Sequence, residues 1–335
     1  MGLGAREVPR SGGQETVSEG KATGSMVGAA TAAALNPGTA LDLARVDALG
    51  ADVDEIERRV AALASRPRPT GDERVASLLR AVESIDLTSL SGDDTPDRIR
   101  ELCDAARRPI GAGILENIGW EGAPPTTAAV CVYPVYVETA REALAGTTIP
   151  VATVAAAFPH GLSPLSTRIA EVRACRELGA SEIDIVIRRS HALLGDWAAL
   201  YDEVRAFREA AGDAHLKAIL ATGELGSVER IAKAGLVALM AGADFIKTST
   251  GKESVNATLE AGVAMARAIR AYHEQTGFRA GLKPAGGIRT ADQALDWLAL
   301  VEEELGTEWL GPDRFRIGAS SLLGDIVREL ASRAG

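Results

Sequence analysis

The chain has 335 residues, 46% of them hydrophobic and 24% charged, which is enough apolar material for one large domain or two small ones. Its formal net charge of -10 argues against nucleic acid or an anionic membrane as the main partner. Three widely separated cysteines favour a reducing cytoplasm over a disulfide framework, and no apolar run reaches the roughly 18 residues that span a bilayer.

The N-terminal part divides into two segments. Residues 1–38 are rich in Gly, Ser, Ala and Thr without a helical or strand period, so we predict a disordered segment, in which Met26 is an alternative start. Residues 39–80 carry apolar positions three and four apart over 40–63, followed by a break at 66–71. This second segment is predicted to be a helical extension.

Residues 81–335 alternate short β-type runs with helical ones at intervals of roughly thirty residues, the spacing of βα units. Eight runs are rich in Val, Ile or Ala and bounded by turn residues: 84–90, 126–133, 151–158, 182–188, 215–222, 245–250, 279–285 and 314–319. Thr95 before Pro96 and Thr290 with Gln293 are typical of helix starts. We therefore predict a (β/α)8 barrel. The alternative, an open doubly wound sheet, would be expected to have a glycine-rich dinucleotide turn after the first run, and residues 90–94 do not form one.

Charged residues fall on the inward phase of these strands. In the fourth run Ile183, Ile185 and Ile187 share the face towards the helices and leave Asp184 inside the barrel. The same phase predicts that the inward group also contains Asp86, Thr88, Lys217, Lys247 and Lys283.

Lys247 is central to this group. It follows Phe245 and Ile246 with no acid in its own strand, and burial would lower its pKa and make it a neutral amine nucleophile towards carbonyls. Two alternatives stay open at this point: a strand-end lysine that extends to water, and a buried ion-pair network that only stabilises the barrel.

A second group of small residues lies at the carboxyl ends of the last three strands. Glycines allow backbone N–H groups to approach an anion, and a helix start favours negative charge. These features predict a phosphate site formed by residues 250–252, 286–287 and 318–321.

Between about residues 84 and 323 the chain resembles the deoxyribose-phosphate aldolases, which are class I aldolases. The motifs that carry the resemblance are Asp86-Leu87-Thr88, 129–134, 158–161, Glu182-Ile183-Asp184, 216–225, 244–252 and 283–289. The resemblance implies reversible cleavage of 2-deoxy-D-ribose 5-phosphate into acetaldehyde and D-glyceraldehyde 3-phosphate, in deoxyribonucleotide catabolism.

The resemblance also implies roles for single residues. Lys247 matches the Schiff-base lysine, Asp184 the proton-transferring aspartate, and Lys283 the second lysine that perturbs the first and takes part in proton transfer. Lys217, Asp86 and Thr88 would support them. The residues that match the phosphate-binding positions are Gly251, Lys252, Gly286, Gly287, Ser320 and Ser321. No cofactor and no metal is expected, the ligands are phosphosugars and aldehydes, and a homodimer is the expected assembly.

One feature departs from the family pattern. Some members end in a flexible tail with a terminal tyrosine, whereas this sequence ends at 331–335 without one. Two rival functions stay open, a different Schiff-base aldolase and a phosphosugar-binding protein without catalysis.

Overall fold

The computed structural model describes residues 1–2 and 34–333. Most of the segment predicted to be disordered, residues 3–33, therefore lies outside the described residues. Residues 34–335 form one compact unit, so the helical extension predicted for 39–80 belongs to the same unit as the barrel.

Eight parallel strands form the centre of this unit, and each pairs with the next along the chain. Their bounds are Ile85–Thr88 (β1), Ala129–Val132 (β2), Val151–Ala155 (β3), Glu182–Val186 (β4), His215–Ile219 (β5), Phe245–Lys247 (β6), Gly281–Lys283 (β7) and Ile317–Ala319 (β8). β1 also pairs with β8, and bridges from Leu282 to Phe315 and from Ala285 to Gly318 connect β7 to the β8 segment. The sheet is thus closed, and the predicted (β/α)8 barrel is confirmed.

Thirteen α-helices lie in the described part of the chain, and most of them surround the barrel. Their bounds are Leu43–Ala48 (α1), Val53–Ser65 (α2), Gly71–Glu83 (α3), Pro96–Arg107 (α4), Ala112–Asn117 (α5), Val137–Ala143 (α6), Leu165–Glu177 (α7), Arg189–Leu194 (α8), Trp197–Ala211 (α9), Val228–Met240 (α10), Leu259–Thr276 (α11), Ala291–Glu304 (α12) and Leu322–Arg333 (α13). Within residues 34–333, none of these helices is long and apolar enough to cross a bilayer.

The predicted helix starts are present. The Thr95 hydroxyl accepts a hydrogen bond from the Arg98 N–H, which satisfies one of the free donors at the start of α4. At α12, Thr290 and Gln293 form a reciprocal capping box. These local signals therefore fix where two of the outer helices begin.

The helical extension packs on the outside of the last barrel helices. α1 contacts α10, α2 contacts α11, and α3 contacts α12 and α13. Arg74 of α3 reinforces the last contact, with Nε 2.6 Å from a Glu329 carboxylate oxygen and Nη2 2.7 Å from Asp292. The apolar positions of residues 40–63 thus lie on α1 and α2, and α3 adds a third helix to the extension.

Asn36 anchors the chain ahead of the extension. Its backbone N–H donates to Asp244 Oδ1 at 2.6 Å, and its Nδ2 donates to the carbonyls of Leu239 and Ala243 at 2.9 and 2.8 Å. Its Oδ1 accepts from the Tyr272 hydroxyl at 2.8 Å. Asn36 is 2% exposed, so it fixes the chain to the barrel helices two residues before the boundary predicted at residue 38, and that boundary stays a prediction.

The two faces of the strands differ in polarity. Ile183, Ile185 and Ile187 pack with the helices in the main apolar core, as the alternation predicted. The inward face carries the charged side chains, together with a small apolar group of Cys131, Ala152 and Val154. The strands are shorter than the predicted runs, because the chain turns into loops directly after residues such as Lys247 and Lys283.

Candidate active site

The strand register brings the predicted inward residues together in neighbouring pairs. Asp184 of β4 lies beside Lys217 of β5, and Lys247 of β6 lies beside Lys283 of β7. Because β1 joins β8, Asp86 completes the ring from the other side. All five side chains are buried, and the most exposed of them, Lys247, is only 3% exposed.

Asp184 is the centre of this cluster. Its Oδ2 accepts hydrogen bonds from Lys247 Nζ and Lys283 Nζ, both at 2.7 Å, and its Oδ1 accepts from Lys217 Nζ at 2.8 Å. Asp86 Oδ2 forms an ion pair with Lys283 Nζ at 2.5 Å and lies 3.8 Å from Lys217 Nζ. The structure therefore brings together the two acids and three lysines that the sequence predicted.

Two further charged residues belong to the cluster and were missed in the sequence. Arg316, directly before β8, donates from Nη1 to Asp86 Oδ1 at 2.5 Å and from Nη2 to Glu182 Oε1 at 2.8 Å. Glu182, the first residue of β4, also lies 2.5 Å from Lys217 Nζ. Both residues precede an inward position by two, Asp184 and Gly318, so the period of the strand could have identified them.

The electrostatics of the three lysines differ although all are buried. Burial lowers the pKa of Lys247, and Lys283 lowers it further, against the opposing effect of Asp184. For Lys283, burial acts in the same direction, but Asp184 and Asp86 outweigh it and raise the pKa. The pKa of Lys217 is likewise raised, since Asp184 and Glu182 overcome its burial. Lys247 is thus the lysine most easily deprotonated.

The carboxylates are held in their ionised form. Burial opposes the ionisation of Asp184, but Lys217, Lys247 and Lys283 hold its pKa well below its usual range. Burial also opposes ionisation of Asp86 and Glu182, and in both cases the Arg316 guanidinium is the largest of the opposing charges that lower the pKa.

Two glycines make room for this cluster. A Cβ at Gly318 would lie 2.8 Å from the Cβ of Ala285 and 3.3 Å from Lys283 Cε. A Cβ at Gly281 would lie 2.1 Å from the Phe245 ring. Small residues on β7 and β8 therefore allow Lys283 and Phe245 to fill the interior.

A cavity of about 340 Å³ opens at the carboxyl ends of β1, β6, β7 and β8. Of the seven charged residues in the buried cluster, only Lys247 lines it. All six residues expected at the phosphate-binding positions line it as well: Gly251, Lys252, Gly286, Gly287, Ser320 and Ser321. The nucleophile candidate and the loops predicted to bind phosphate thus line one cavity.

The backbone N–H groups around this cavity are not equivalent. Those of Gly286, Gly287, Ser320 and Ser321 have no hydrogen-bond partner among the described residues, and the last two immediately precede α13. A phosphate could accept hydrogen bonds from them near the start of a helix.

The loop that contains Gly251 forms hydrogen bonds that the sequence analysis did not predict. The Gly251 N–H donates to Glu253 Oε2 at 3.1 Å, and the Thr250 N–H donates to the same carboxylate. Lys252 Nζ donates to the Leu90 carbonyl at 2.9 Å. Glu253 was not considered in the sequence analysis. Its carboxylate accepts a hydrogen bond from the Gly251 N–H, a donor that was expected to bind phosphate.

Thr88 and Cys131 lie near the cluster without joining its ion pairs. The Thr88 hydroxyl donates to the Asp86 backbone carbonyl at 2.7 Å, and the side chain lines the cavity. Burial raises the pKa of the Cys131 thiol, so it remains neutral. Across the described ranges, no three His, Cys, Asp or Glu side chains converge to hold a metal ion.

The sequence of this chain is similar to the sequences of known proteins. The sequence model described as DeoC/LacD family aldolase matches residues 81–323. The chain is 54% identical over 295 residues to a Mus musculus protein named deoxyribose-phosphate aldolase, a match that covers 88% of this chain and 93% of the mouse protein. It is 52% identical to the Homo sapiens protein of the same name, with the same coverage of both chains.

A solved structure agrees in fold. The crystal structure of a putative deoxyribose-phosphate aldolase from Coccidioides immitis superposes with a TM-score of 0.60 at 26% identity, covering 82% of this chain and 98% of that one. The family match spans all eight strands of the barrel, and the matches to the mouse and human proteins are longer. The chain therefore belongs to the DeoC/LacD family of aldolases.

Proposed function

We propose that this protein is a class I aldolase that reversibly cleaves 2-deoxy-D-ribose 5-phosphate into acetaldehyde and D-glyceraldehyde 3-phosphate. The reaction class follows from the family, and the substrate is the one named for the mouse and human relatives. The observation that carries the proposal is that Lys247, the buried lysine with the lowered pKa, is also the charged residue of the cluster that reaches the cavity.

The chemistry begins with the amine of Lys247. Its lone pair attacks C1 of the open-chain aldehyde, and loss of water gives an iminium ion. The C2–C3 bond then breaks, its electron pair moves into an enamine on Lys247, and the C3 hydroxyl loses its proton to become the carbonyl of glyceraldehyde 3-phosphate. Protonation of the enamine at C2 and addition of water release acetaldehyde and regenerate the amine.

Asp184 and Lys283 are the groups proposed to move protons in this sequence. Asp184 Oδ2 is hydrogen-bonded to both Lys247 and Lys283, so a proton can pass between the two amines through one carboxylate. The proton of the C3 hydroxyl would reach Asp184 through a water molecule. Lys217 and Asp86 hold these groups in place, and Thr88 orients the Asp86 segment.

The phosphate is proposed to bind at the far side of the cavity. The N–H groups of Gly286, Gly287, Ser320 and Ser321 would donate to it, and Lys252 would supply a positive charge. Gly251 would contribute only if the Glu253 carboxylate moved from its N–H, or by allowing close approach of the backbone.

No metal or other cofactor is proposed for the reaction. The iminium ion accepts the electrons of the breaking bond, which is the task that a metal would otherwise perform. The three inward carboxylates, which could have bound a cation, already pair with lysine and arginine side chains.

The direct test is cleavage of 2-deoxyribose 5-phosphate by the purified full chain, with glyceraldehyde 3-phosphate detected by a coupled dehydrogenase. We expect cleavage in the presence and absence of a chelator, and we expect Lys247→Met to remove it. The matched control is Lys233→Met, which changes a lysine that pairs with Glu229 on the surface of α10. Absence of cleavage in the wild type, with trapping of another aldehyde on Lys247, would instead identify a different Schiff-base aldolase.

A further inference from the structure

The buried cluster contains unequal numbers of positive and negative groups. Each member is at most 6% exposed, so its charges are balanced mainly by one another and hardly by water. The three carboxylates are Asp86, Glu182 and Asp184, and the four basic groups are Lys217, Lys247, Lys283 and Arg316. If every group were ionised, the barrel would hold one unbalanced positive charge.

The ion pairs indicate which basic group loses its proton. Lys217 forms ion pairs with three carboxylates. Lys283 and Arg316 form ion pairs with two each. Lys247 reaches only Asp184 among the described residues, and it shares that carboxylate with both other lysines. Lys247 is therefore the least compensated of the four.

Arg316 differs from the lysines because a guanidinium keeps its proton in proteins. Its Nη1 lies 2.5 Å from Asp86 and its Nη2 2.8 Å from Glu182, so it occupies one oxygen on each of two carboxylates. Its Nε donates to the Pro312 carbonyl, and its guanidinium carbon lies 5.8 Å from the centre of the Phe245 ring. These contacts hold a permanent positive charge near the lysines, at the amino end of β8.

We propose that Arg316 is a positioning residue which, with Glu182, sets the protonation state of Lys247. The charge of Arg316 balances one of the three carboxylates, so only two negative charges remain for the three lysines. The inference rests on the proposed Schiff-base function and adds two residues to it. Arg316 does not touch Lys247. It acts through Asp86 and Glu182. Without Arg316, the negative charges of the cluster would be enough to balance a third ammonium group.

Apart from the seven charged groups of the cluster, the buried residues that face Lys247 carry no charge. Asp86 comes from β1, Cys131 from β2, Glu182 and Asp184 from β4, Lys217 from β5, Lys283 from β7 and Arg316 from the residue before β8. Cys131 is neutral, and β3 contributes Ala152 and Val154 on this face. Lys252 and Arg289 line the cavity together with Lys247, but both are exposed, so water screens their charges. The imbalance therefore depends on the seven buried charged groups.

The test uses substitutions of opposite sign. Arg316→Met leaves three basic groups and three carboxylates, so Lys247 should hold its proton to higher pH. Glu182→Gln leaves four basic groups and two carboxylates, so Lys247 should lose its proton at lower pH. The readout is the pH midpoint of acetaldehyde trapping by cyanoborohydride, with wild type and variants measured in the same buffers so that the pH dependence of the reductant is common to all profiles.

We expect the midpoint to rise by about one pH unit in Arg316→Met and to fall by about half a unit or more in Glu182→Gln. The double variant Arg316→Met/Glu182→Gln restores one excess positive charge and should return the midpoint close to the wild-type value. It also removes one of the two carboxylates that lose the Arg316 guanidinium in Arg316→Met, so it tests the proposal even if the single arginine variant does not fold.

A role for Arg316 and Glu182 in packing alone would reduce stability without moving the midpoint. Unchanged midpoints in the folded variants, shifts of the same sign in both, or no return in the double variant would overturn the proposal. Failure of the proposed function would give a different result, because the wild type itself would then trap no acetaldehyde. Trapping that persists on Lys247 with an unmoved midpoint contradicts only the role of Arg316 and Glu182.

Discussion

At Lys247 two opposing effects act on one proton. Burial and the charge of Lys283 favour loss of the proton, whereas the hydrogen bond to Asp184 at 2.7 Å favours its retention. The balance lowers the pKa of Lys247, although a carboxylate is in contact with it. Because Asp184 is divided among three lysines, it cannot stabilise the ammonium form of any one of them fully.

This balance predicts the behaviour of Lys283→Leu. The substitution removes the cation that shares Asp184 Oδ2 with Lys247, so the pKa of Lys247 should rise and the variant should need a higher pH to react. We expect acetaldehyde trapping to continue, with its pH midpoint higher by about one unit or more.

The control for that experiment is Lys233→Met, which should keep the wild-type pH profile. An unchanged profile for Lys283→Leu would show that Lys283 does not depress the pKa of Lys247.

At the scale of elements, the loop after β6 separates two kinds of donor. Its Thr250 and Gly251 N–H groups are used by Glu253, whereas the Lys252 ammonium lies at the cavity and donates to the Leu90 carbonyl. In the loops after β7 and β8, the N–H groups of Gly287, Ser320 and Ser321 have no hydrogen-bond partner among the described residues. The phosphate would thus rely on backbone donors from the last two loops and on charge from the β6 loop.

This division predicts that Lys252→Met impairs recognition of phosphate and leaves the chemistry intact. A hydrogen bond to a charged group contributes about 1.5–3 kcal/mol, so KM for 2-deoxyribose 5-phosphate should rise roughly 10- to 100-fold with little change in kcat. Steady-state kinetics would measure it. Activity on unphosphorylated 2-deoxyribose should be the same in wild type and variant, and an equal loss on both sugars would place Lys252 in another role.

Asn36 shows how a short segment can stabilise the barrel. Its side chain uses both N–H groups and its oxygen in buried hydrogen bonds to α10, α11 and the segment before β6. Asn36→Ala would leave these partners unsatisfied and should lower the free energy of unfolding by about 2–4 kcal/mol. Denaturant titration would measure the loss.

Two truncations sharpen this prediction. Removal of residues 2–38 should lower stability as Asn36→Ala does, whereas removal of residues 2–33 should leave stability and turnover nearly unchanged. Equal stability of the two truncated proteins would show that the contacts of Asn36 contribute little.

How far the sequence determined these elements can be judged from particular residues. The alternation in Ile183–Ile187 was enough to place Asp184 inside, and Thr290 with Gln293 was enough to start α12. Strand phase could have placed Arg316 on the inward face, but its pairing with Asp86 and Glu182 could not be predicted, because phase gives the face of a side chain and not its distance from another strand. Glu253 was missed for a different reason. A carboxylate that turns back onto its own loop leaves no periodic signal.

At the scale of the whole molecule, the fold confines its unusual charges to one place. The sequence contains only six lysines, and three of them lie inside the barrel. Burying them with three carboxylates and an arginine ties stability to the ionisation of the same groups that the chemistry uses. The homodimer expected from the family resemblance stays a prediction.

This coupling predicts the stability of the protein in acid. The pKa values of Asp86, Glu182 and Asp184 are lower in the folded chain than their ordinary values of 3.8, 4.5 and 3.8. The unfolded chain therefore binds more protons as the pH falls through that range. The stabilisation is complete above about pH 5 and is lost progressively below it.

Denaturant titrations between about pH 6 and pH 3.5 would measure this loss as a falling free energy of unfolding. Glu182→Gln removes one of the three titrating groups and should show a shallower fall. A free energy that stayed constant over this range, or an equal slope in the variant, would contradict the ionised state assigned to the cluster.

The central claim is that the amine of Lys247 forms the covalent intermediate. The most direct measurement is mass spectrometry of peptides from the full chain after treatment with acetaldehyde and borohydride. We predict one reduced two-carbon adduct, on the peptide that contains Lys247, and none on Lys217, Lys283 or Lys252. An adduct on Lys217 or Lys283 with Lys247 unmodified, or cleavage of the sugar phosphate without any lysine adduct, would contradict the account.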